Sequence, residues 1–189
     1  MDSAGNLYGA TSAGGFGFGT VFKLSTNGTE TILYNVGASF DGEYPDGGLA
    51  LDSAGNLYGT TEYAQQSNGT VFEVSANGTA TPLYAFGATV SDESDGATPI
   101  GSLILDSAGS LYGTTINGGT NNARLGGYGT VFKIVMSGTA ITETVLYSFG
   151  ASAIDGTAPN SLIVDSAGNL YGTTVRGGAN GKGTIFVID

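Results

Sequence analysis

The sequence predicts an all-β chain, a β-propeller-like array of four-stranded antiparallel β-meander repeats. Three observations predict it. A ten-residue unit, DSAGNLYGTT, stands at residues 52–61. It returns as DSAGSLYGTT from Asp106 and as DSAGNLYGTT from Asp165, and a near copy, DSAGNLYGAT, begins at Asp2. Each unit heads a series of short apolar segments parted by Gly, Asn and Asp, the chemistry of strands and hairpin turns. No stretch shows a helical hydrophobic period.

The opening aspartates are 50, 54 and 59 residues apart, so the copies run 2–51, 52–105, 106–164 and, in part, 165–189. All belong to one repeat domain, 1–189. The length differences fall in loops, where insertions are tolerated. The first strand of a copy is Gly48–Leu51, Ser102–Leu105 or Ser161–Val164. The turn Asp-Ser-Ala-Gly-Asn follows; Asp caps a turn with its side chain, and Gly and Asn accept positive φ. Asn-Leu-Tyr-Gly-Thr-Thr forms the second strand, with Leu57 and Gly59 facing opposite to Tyr58 and Thr60.

A Gly-rich loop leads to the third strand, Gly-Thr-Val-Phe, which recurs at 19–22, 69–72, 129–132 and, with Ile for Val, at 183–186. Asn27-Gly28 and Asn77-Gly78 then mark hairpins, with Ser137-Gly138 in that place in the third copy. The fourth strand holds Ile32-Leu33-Tyr34, Pro82-Leu83-Tyr84 or Val145-Leu146-Tyr147, and an acidic return loop closes the copy. Three, four, four and three strands make fourteen, about 3.5 repeats. Propellers carry about four to eight blades, so the chain is expected either to close a small ring or to form an open arc with unpaired ends. A parallel β-solenoid is the alternative, less well suited to uneven repeats and tight hairpins.

Composition narrows the function classes. Of 189 residues, 34 are Gly, 11% are charged and none is Cys, Trp or His, yet 40% are apolar, which excludes disorder. Net charge is -11, and the five basic residues (Lys23, Arg124, Lys133, Arg176, Lys182) are scattered. A phosphate backbone requires clustered cations, so nucleic acid is excluded as a partner, and direct membrane association is disfavoured likewise. Without His or Cys, the common triads and Cys-based metal sites are missing. The Gly-Gly stretches precede no helix bearing Lys-Ser/Thr, so they are turns rather than phosphate loops. These residues contain no signal peptide, transmembrane run or lipidation motif. Met1 replaces an apolar residue at a repeat boundary, as expected of a start inside a longer array.

Gly-Thr-Val-Phe-Lys-Leu, Leu-Tyr-Ser-Phe, Asp-Gly, Pro, Leu-Ile-Val-Asp, Gly-Asn-Leu-Tyr-Gly-Thr-Thr and Gly-Gly-x-x-Gly-x-Gly-Thr together resemble the GloVer repeat proteins of bacteria, described as "choice-of-anchor". The resemblance covers essentially the whole chain. It implies an exported, often surface-anchored, propeller-like protein, hence an extracellular or cell-surface location, and it implies no enzyme activity.

Candidate sites are few. The repeated aspartates (2, 52, 106, 165) are read as turn residues, since each copy offers one carboxylate without the oxygen ladder of a calcium loop. The return loops gather Asp41, Asp46, Asp95 and Asp155, candidate ligands for a cation such as Ca²⁺ if neighbouring loops converge at one rim. Glu43 and Asp92 share those loops, and a pair of such carboxyls at a set separation is what glycan cleavage requires. Tyr8, Tyr58, Tyr112, Tyr171 and Phe22, Phe72, Phe132, Phe186 recur in register and read as core. Phe16, Phe18, Phe40, Tyr44, Tyr63 and Tyr128 lie in variable loops, where exposed rings stack on sugars. The resulting expectation is a non-catalytic, cofactor-free extracellular scaffold that self-associates through its incomplete end blades. A carbohydrate-binding propeller is the alternative, and a glycan-cleaving enzyme the second alternative.

Overall fold

The computed structural model describes residues 1–37, 42–87, 93–121 and 127–189. Every regular element among them is a strand, arranged in four antiparallel sheets. The first blade is β1 (Leu7–Thr11), β2 (Thr20–Leu24) and β3 (Glu30–Asn35). The second is β4 (Glu43–Pro45), β5 (Ala50–Leu51), β6 (Leu57–Tyr63), β7 (Thr70–Val74) and β8 (Ala80–Ala85). The third is β9 (Ala97–Leu105), β10 (Leu111–Asn117), β11 (Thr130–Ser137) and β12 (Ala140–Ser148). The fourth is β13 (Gly156–Val164), β14 (Leu170–Gly177) and β15 (Ile185–Ile188).

Both β4 and β5 pair with β6, so they are one strand position broken between residues 46 and 49. The expected count of three, four, four and three positions holds, with that break giving fifteen segments. Opening strands reach further back than their four apolar residues suggest: β9 starts at Ala97 and β13 at Gly156. Each takes in a proline, Pro99 or Pro159. Pro is tolerated because these strands pair on one side only, so the missing N–H breaks no ladder bond. A register shift in each, between Tyr112 and Thr114 on the partner of β9 and between Pro159 and Leu162 on β13, absorbs the extra residues.

The repeated unit explains itself at atomic level. In the first copy Asp2 Oδ1 accepts the Ala4 and Asn6 backbone N–H groups at 3.0 and 2.9 Å. Its Oδ2 accepts the Asn6 amide at 2.7 Å and the Tyr8 hydroxyl at 2.9 Å. Asp52 and Asp165 repeat all four bonds. Asp106 keeps the two backbone bonds and the Tyr112 hydroxyl, with Ser110 standing where the others have Asn. One carboxylate thus pins the turn and the tyrosine that begins the next strand. The Asn6 amide and N–H hold the Asp2 carboxyl down at about 2. With both oxygens engaged inside the turn, these aspartates are structural residues.

Glycine in the second strand has an equally local cause. Gly9, Gly59, Gly113 and Gly172 pair across the sheet with Phe22, Phe72, Phe132 and Phe186. Each phenyl ring covers its glycine; a Cβ at Gly59 would meet the Phe72 ring at 2.7 Å. The ring takes the space a side chain would occupy.

Blades pack face to face with constant polarity. Val21, Tyr8 and Leu33 of the first blade meet Leu57, Phe72 and Val74 of the second. Val71, Tyr58 and Phe86 of the second meet Leu111, Phe132 and Ile134 of the third. Val131, Tyr112 and Phe149 of the third meet Leu162, Leu170 and Phe186 of the fourth. Edge-to-face ring pairs cross the last two junctions, Phe86 on Phe132 at 4.9 Å and Phe149 on Phe186 at 5.0 Å. So the tyrosine and phenylalanine series is core, as the register suggests. At the chain's ends it is only half covered: Phe22 and Phe186 are partly buried and Tyr171 is exposed.

Candidate functional site

An antiparallel meander puts alternate connections at opposite ends of the sheet. The DSAGN and Asn-Gly turns share one rim, while the Gly-rich loops and acidic return loops share the other. The convergence left open by the sequence is therefore real at the level of loops. At this second rim every blade clips onto the next in one way. The Tyr44 N–H donates to the Phe18 carbonyl at 3.0 Å, Thr98 to Asn68 at 2.7 Å, and Ala158 to Tyr128 at 2.8 Å. All three donors have positive φ, 57°, 56° and 53°, and all precede a proline, a pairing that neither sterics nor the proline favours. The next residue's ring, of Pro45, Pro99 or Pro159, sits against Gly19, Gly69 or Gly129. The motif Asp-Gly-x-x-Pro, legible three times in the sequence, is thus the plug of a blade junction. Its spacing was the signal; its role required the fold.

Around each clip stand three side chains that vary. At the first junction they are Phe18, Tyr44 and Tyr63, with Tyr44 edge-on to the other two at 6.1 and 6.4 Å. At the second they are Asn68, Thr98 and Asn117, where the Asn117 amide donates to the Thr98 hydroxyl at 3.3 Å. At the third they are Tyr128, Ala158 and Arg176. Four of the five aromatics proposed as ligand contacts therefore stand at the first and third clips, with Tyr44 and Tyr63 on strands β4 and β6 and not, as expected, in loops. Tyr44, Tyr63 and Tyr128 are exposed, and Phe18 is partly buried over Gly37. Phe16 is exposed in the loop between β1 and β2.

The proposed metal ligands sit differently. Asp95 accepts the Tyr84 hydroxyl at 2.7 Å and the Gly87 N–H at 3.1 Å. Asp155 accepts the Tyr147 hydroxyl at 3.0 Å and the Gly150 N–H at 2.9 Å. Each braces its own return loop. Asp46 is exposed in the break between β4 and β5. Asp41 lies outside the described residues, as do Phe40, Asp92 and Arg124. Among the described residues no three acidic side chains approach closely enough to share a metal ion.

One acid was not singled out by its sequence. Glu143, on β12, pairs across the sheet with Ile134, which packs in the junction with the second blade; its Oε1 is buried with no hydrogen-bond partner among the described residues. Burial, with the Asp95 charge adding to it, pushes its carboxyl up to about 7. A folded-state value raised above the ordinary 4.5 means a penalty absent below pH 4.5, growing as pH rises and complete above about 7. Glu143→Gln is expected to match the native protein in melting temperature at pH 4. At pH 8 it should exceed it by about 2–4 °C, for a net of about 1 kcal/mol at a half-screened site. Equal melting temperatures at both pH values would show that Glu143 carries no such penalty.

At the two ends the repeating contacts stop. Val21, Val71 and Val131 are 0% exposed, while their counterpart Ile185 is 84% exposed. Leu57, Leu111 and Leu170 are at most 2% exposed, while their counterpart Leu7 is 52% exposed. Ile163, Val187 and Tyr171 complete the bare face of the fourth blade, and Ile32 adds to that of the first. Among the described residues the four blades form an arc whose two end faces are bare.

The family model of the Gloeobacter/Verrucomicrobia repeat matches residues 1–126 and 93–189. The chain belongs to this repeat family. No curated protein sequence matches it. Among solved structures, the extracellular domain of a hybrid two-component system from B. thetaiotaomicron is similar over 100% of this chain and 22% of that one, at 15% identity and a TM-score of 0.55. A luciferin-regenerating enzyme is similar over 97% of this chain and 62% of its own, at 15% identity and a TM-score of 0.54. A Dyadobacter fermentans protein of unknown function follows with 91% and 55%, 12% identity and a TM-score of 0.53. At such identities the likeness is one of fold, and this chain spans less than two thirds of each. In this chain the repeats are thus propeller-like blades, each internal junction formed by the Asp-Gly-x-x-Pro strand of one blade seated on the receiving face of the blade before it.

Proposed function

We propose that the chain is a non-catalytic scaffold module, working outside the cell or at its surface and joining further material of its own kind end to end into a ring or filament. The extracellular placement rests on the resemblance to exported, anchored repeat proteins. The observation that carries the scaffold reading is the pair of bare ends, Ile185 and Leu7, at positions buried in every internal blade. Buried aliphatic side chains contribute about 1.5–3 kcal/mol each, so the ends favour association. The bracing of Asp95 and Asp155 by their own loops supports a structural use of the rim carboxylates over glycan cleavage. The test is light scattering across a concentration series, with and without EDTA. Growth in mass with concentration is expected, and loss of that growth in EDTA would assign a cation such as Ca²⁺ to it. A constant monomer mass to high concentration would overturn self-association.

A second reading, carbohydrate binding, is favoured by one observation: Phe18, Tyr44 and Tyr63 bring three rings from separate segments to one clip. It expects signals on a glycan array that weaken in Tyr44→Ala and Tyr128→Ala. A flat array disposes of it.

A further inference from the structure

The second and third strands of the fourth blade repeat the receiving edge of a junction, without the fourth strand that brings Phe86 or Phe149 to the internal ones. Gly183 has φ +92°, beside +112°, +108° and +95° at Gly19, Gly69 and Gly129. The Thr174 and Thr184 hydroxyls pair at 2.9 Å, as Thr11 pairs with Thr20 and Thr115 with Thr130 at the same distance. At the three internal junctions this arrangement receives the same three things. The carbonyl before the glycine takes an N–H, a proline ring covers the glycine, and the leucine of the following opening strand reaches the buried valine's cluster. The counterparts in the fourth blade are the Lys182 carbonyl, Gly183 and Ile185, and among the described residues none of these three reaches them.

From this we infer that the bare face of the fourth blade is an acceptor groove for one kind of occupant. That occupant is an extended Asp-Gly-x-x-Pro strand, the opening strand of a same-type repeat. The inference rests on the scaffold reading and names its partner.

The test is a labelled peptide with the sequence of residues 155–165, DGTAPNSLIVD, titrated into the whole chain and followed by fluorescence anisotropy. Saturable binding is expected. Ile185→Asp, at a site open to solvent and so without cost to the fold, should abolish it. Leu7→Asp, at the opposite end, should leave it unchanged. N-methylation of the peptide at the residue before proline removes the clip's donor and should weaken binding about tenfold, the worth of one hydrogen bond. No binding at millimolar peptide, or binding indifferent to Ile185→Asp, overturns the acceptor groove. Concentration-dependent association that the peptide does not displace overturns it too, leaving the scaffold reading intact with the first blade of a second copy as occupant. A constant monomer that binds the peptide sinks self-association and keeps the groove.

Discussion

Replacing Phe132 by alanine is expected to cost about 3–5 kcal/mol, the usual penalty for emptying a buried aromatic site. Its ring lies over Gly113, touches the Leu103 methyl groups' neighbourhood and receives Phe86 edge-on at 4.9 Å, with no exposure to solvent. For a chain of this size the loss corresponds to a fall in melting temperature of roughly 6–20 °C. Phe22→Ala removes the same ring from the same position in the first blade, where it is only partly buried, and should cost less than half as much. Equal losses at the two positions would mean that the stabilisation comes from the Gly–Phe pair within one sheet and owes nothing to the junction.

Gly129→Ala is expected to cost about 3 kcal/mol or more. The backbone there has φ +95°, outside the left-handed well that other residues tolerate, and such strain alone costs about 1–3 kcal/mol. A Cβ would also run into the Thr115 carbonyl and stand 2.5 Å from the Pro159 ring. Gly138→Ala is the control: φ is +61° and nothing lies within 4 Å, so about 1–2 kcal/mol is expected. Gly183→Ala isolates the proline contact, since its φ is +92° and its Cβ would meet the Thr174 carbonyl as that of residue 129 meets Thr115, but no proline is among its nearest neighbours. Chemical denaturation of the three variants should rank them 129, 183, 138. If Gly183→Ala costs as much as Gly129→Ala, the proline contact contributes nothing.

The blade count was legible because the repeated unit is nearly identical in every copy and its apolar positions alternate. Tyr58 and Phe72 could be placed in the core from register alone. The break at residues 46–49 and the backward reach of β9 and β13 were not legible: Gly and Pro normally end strands, and only an edge position lets them stay. The turn role of Asp52 followed from its neighbours, but its bond to Tyr58 needed coordinates, because six residues separate them. Glu143 was invisible for a different reason. In its sequence context it is one acid between threonines on a strand, and its burial comes from the blade opposite. The clip was half visible, a recurring Asp-Gly-x-x-Pro whose partner lies some 25–30 residues earlier in the chain.

That clip bears on how such chains change length. A duplicated stretch of DNA encoding one copy would insert a module already fitted on both sides, since its leading strand suits whatever precedes it and its trailing face suits whatever follows. No compensating substitution is required at the seam, because the bond crossing it runs between backbone atoms and the ring it carries meets a glycine. The residues lining each seam, aromatic at one and amide-bearing at the next, are left free to drift. Copy number and seam chemistry can therefore evolve independently, the first by unequal recombination and the second by point mutation.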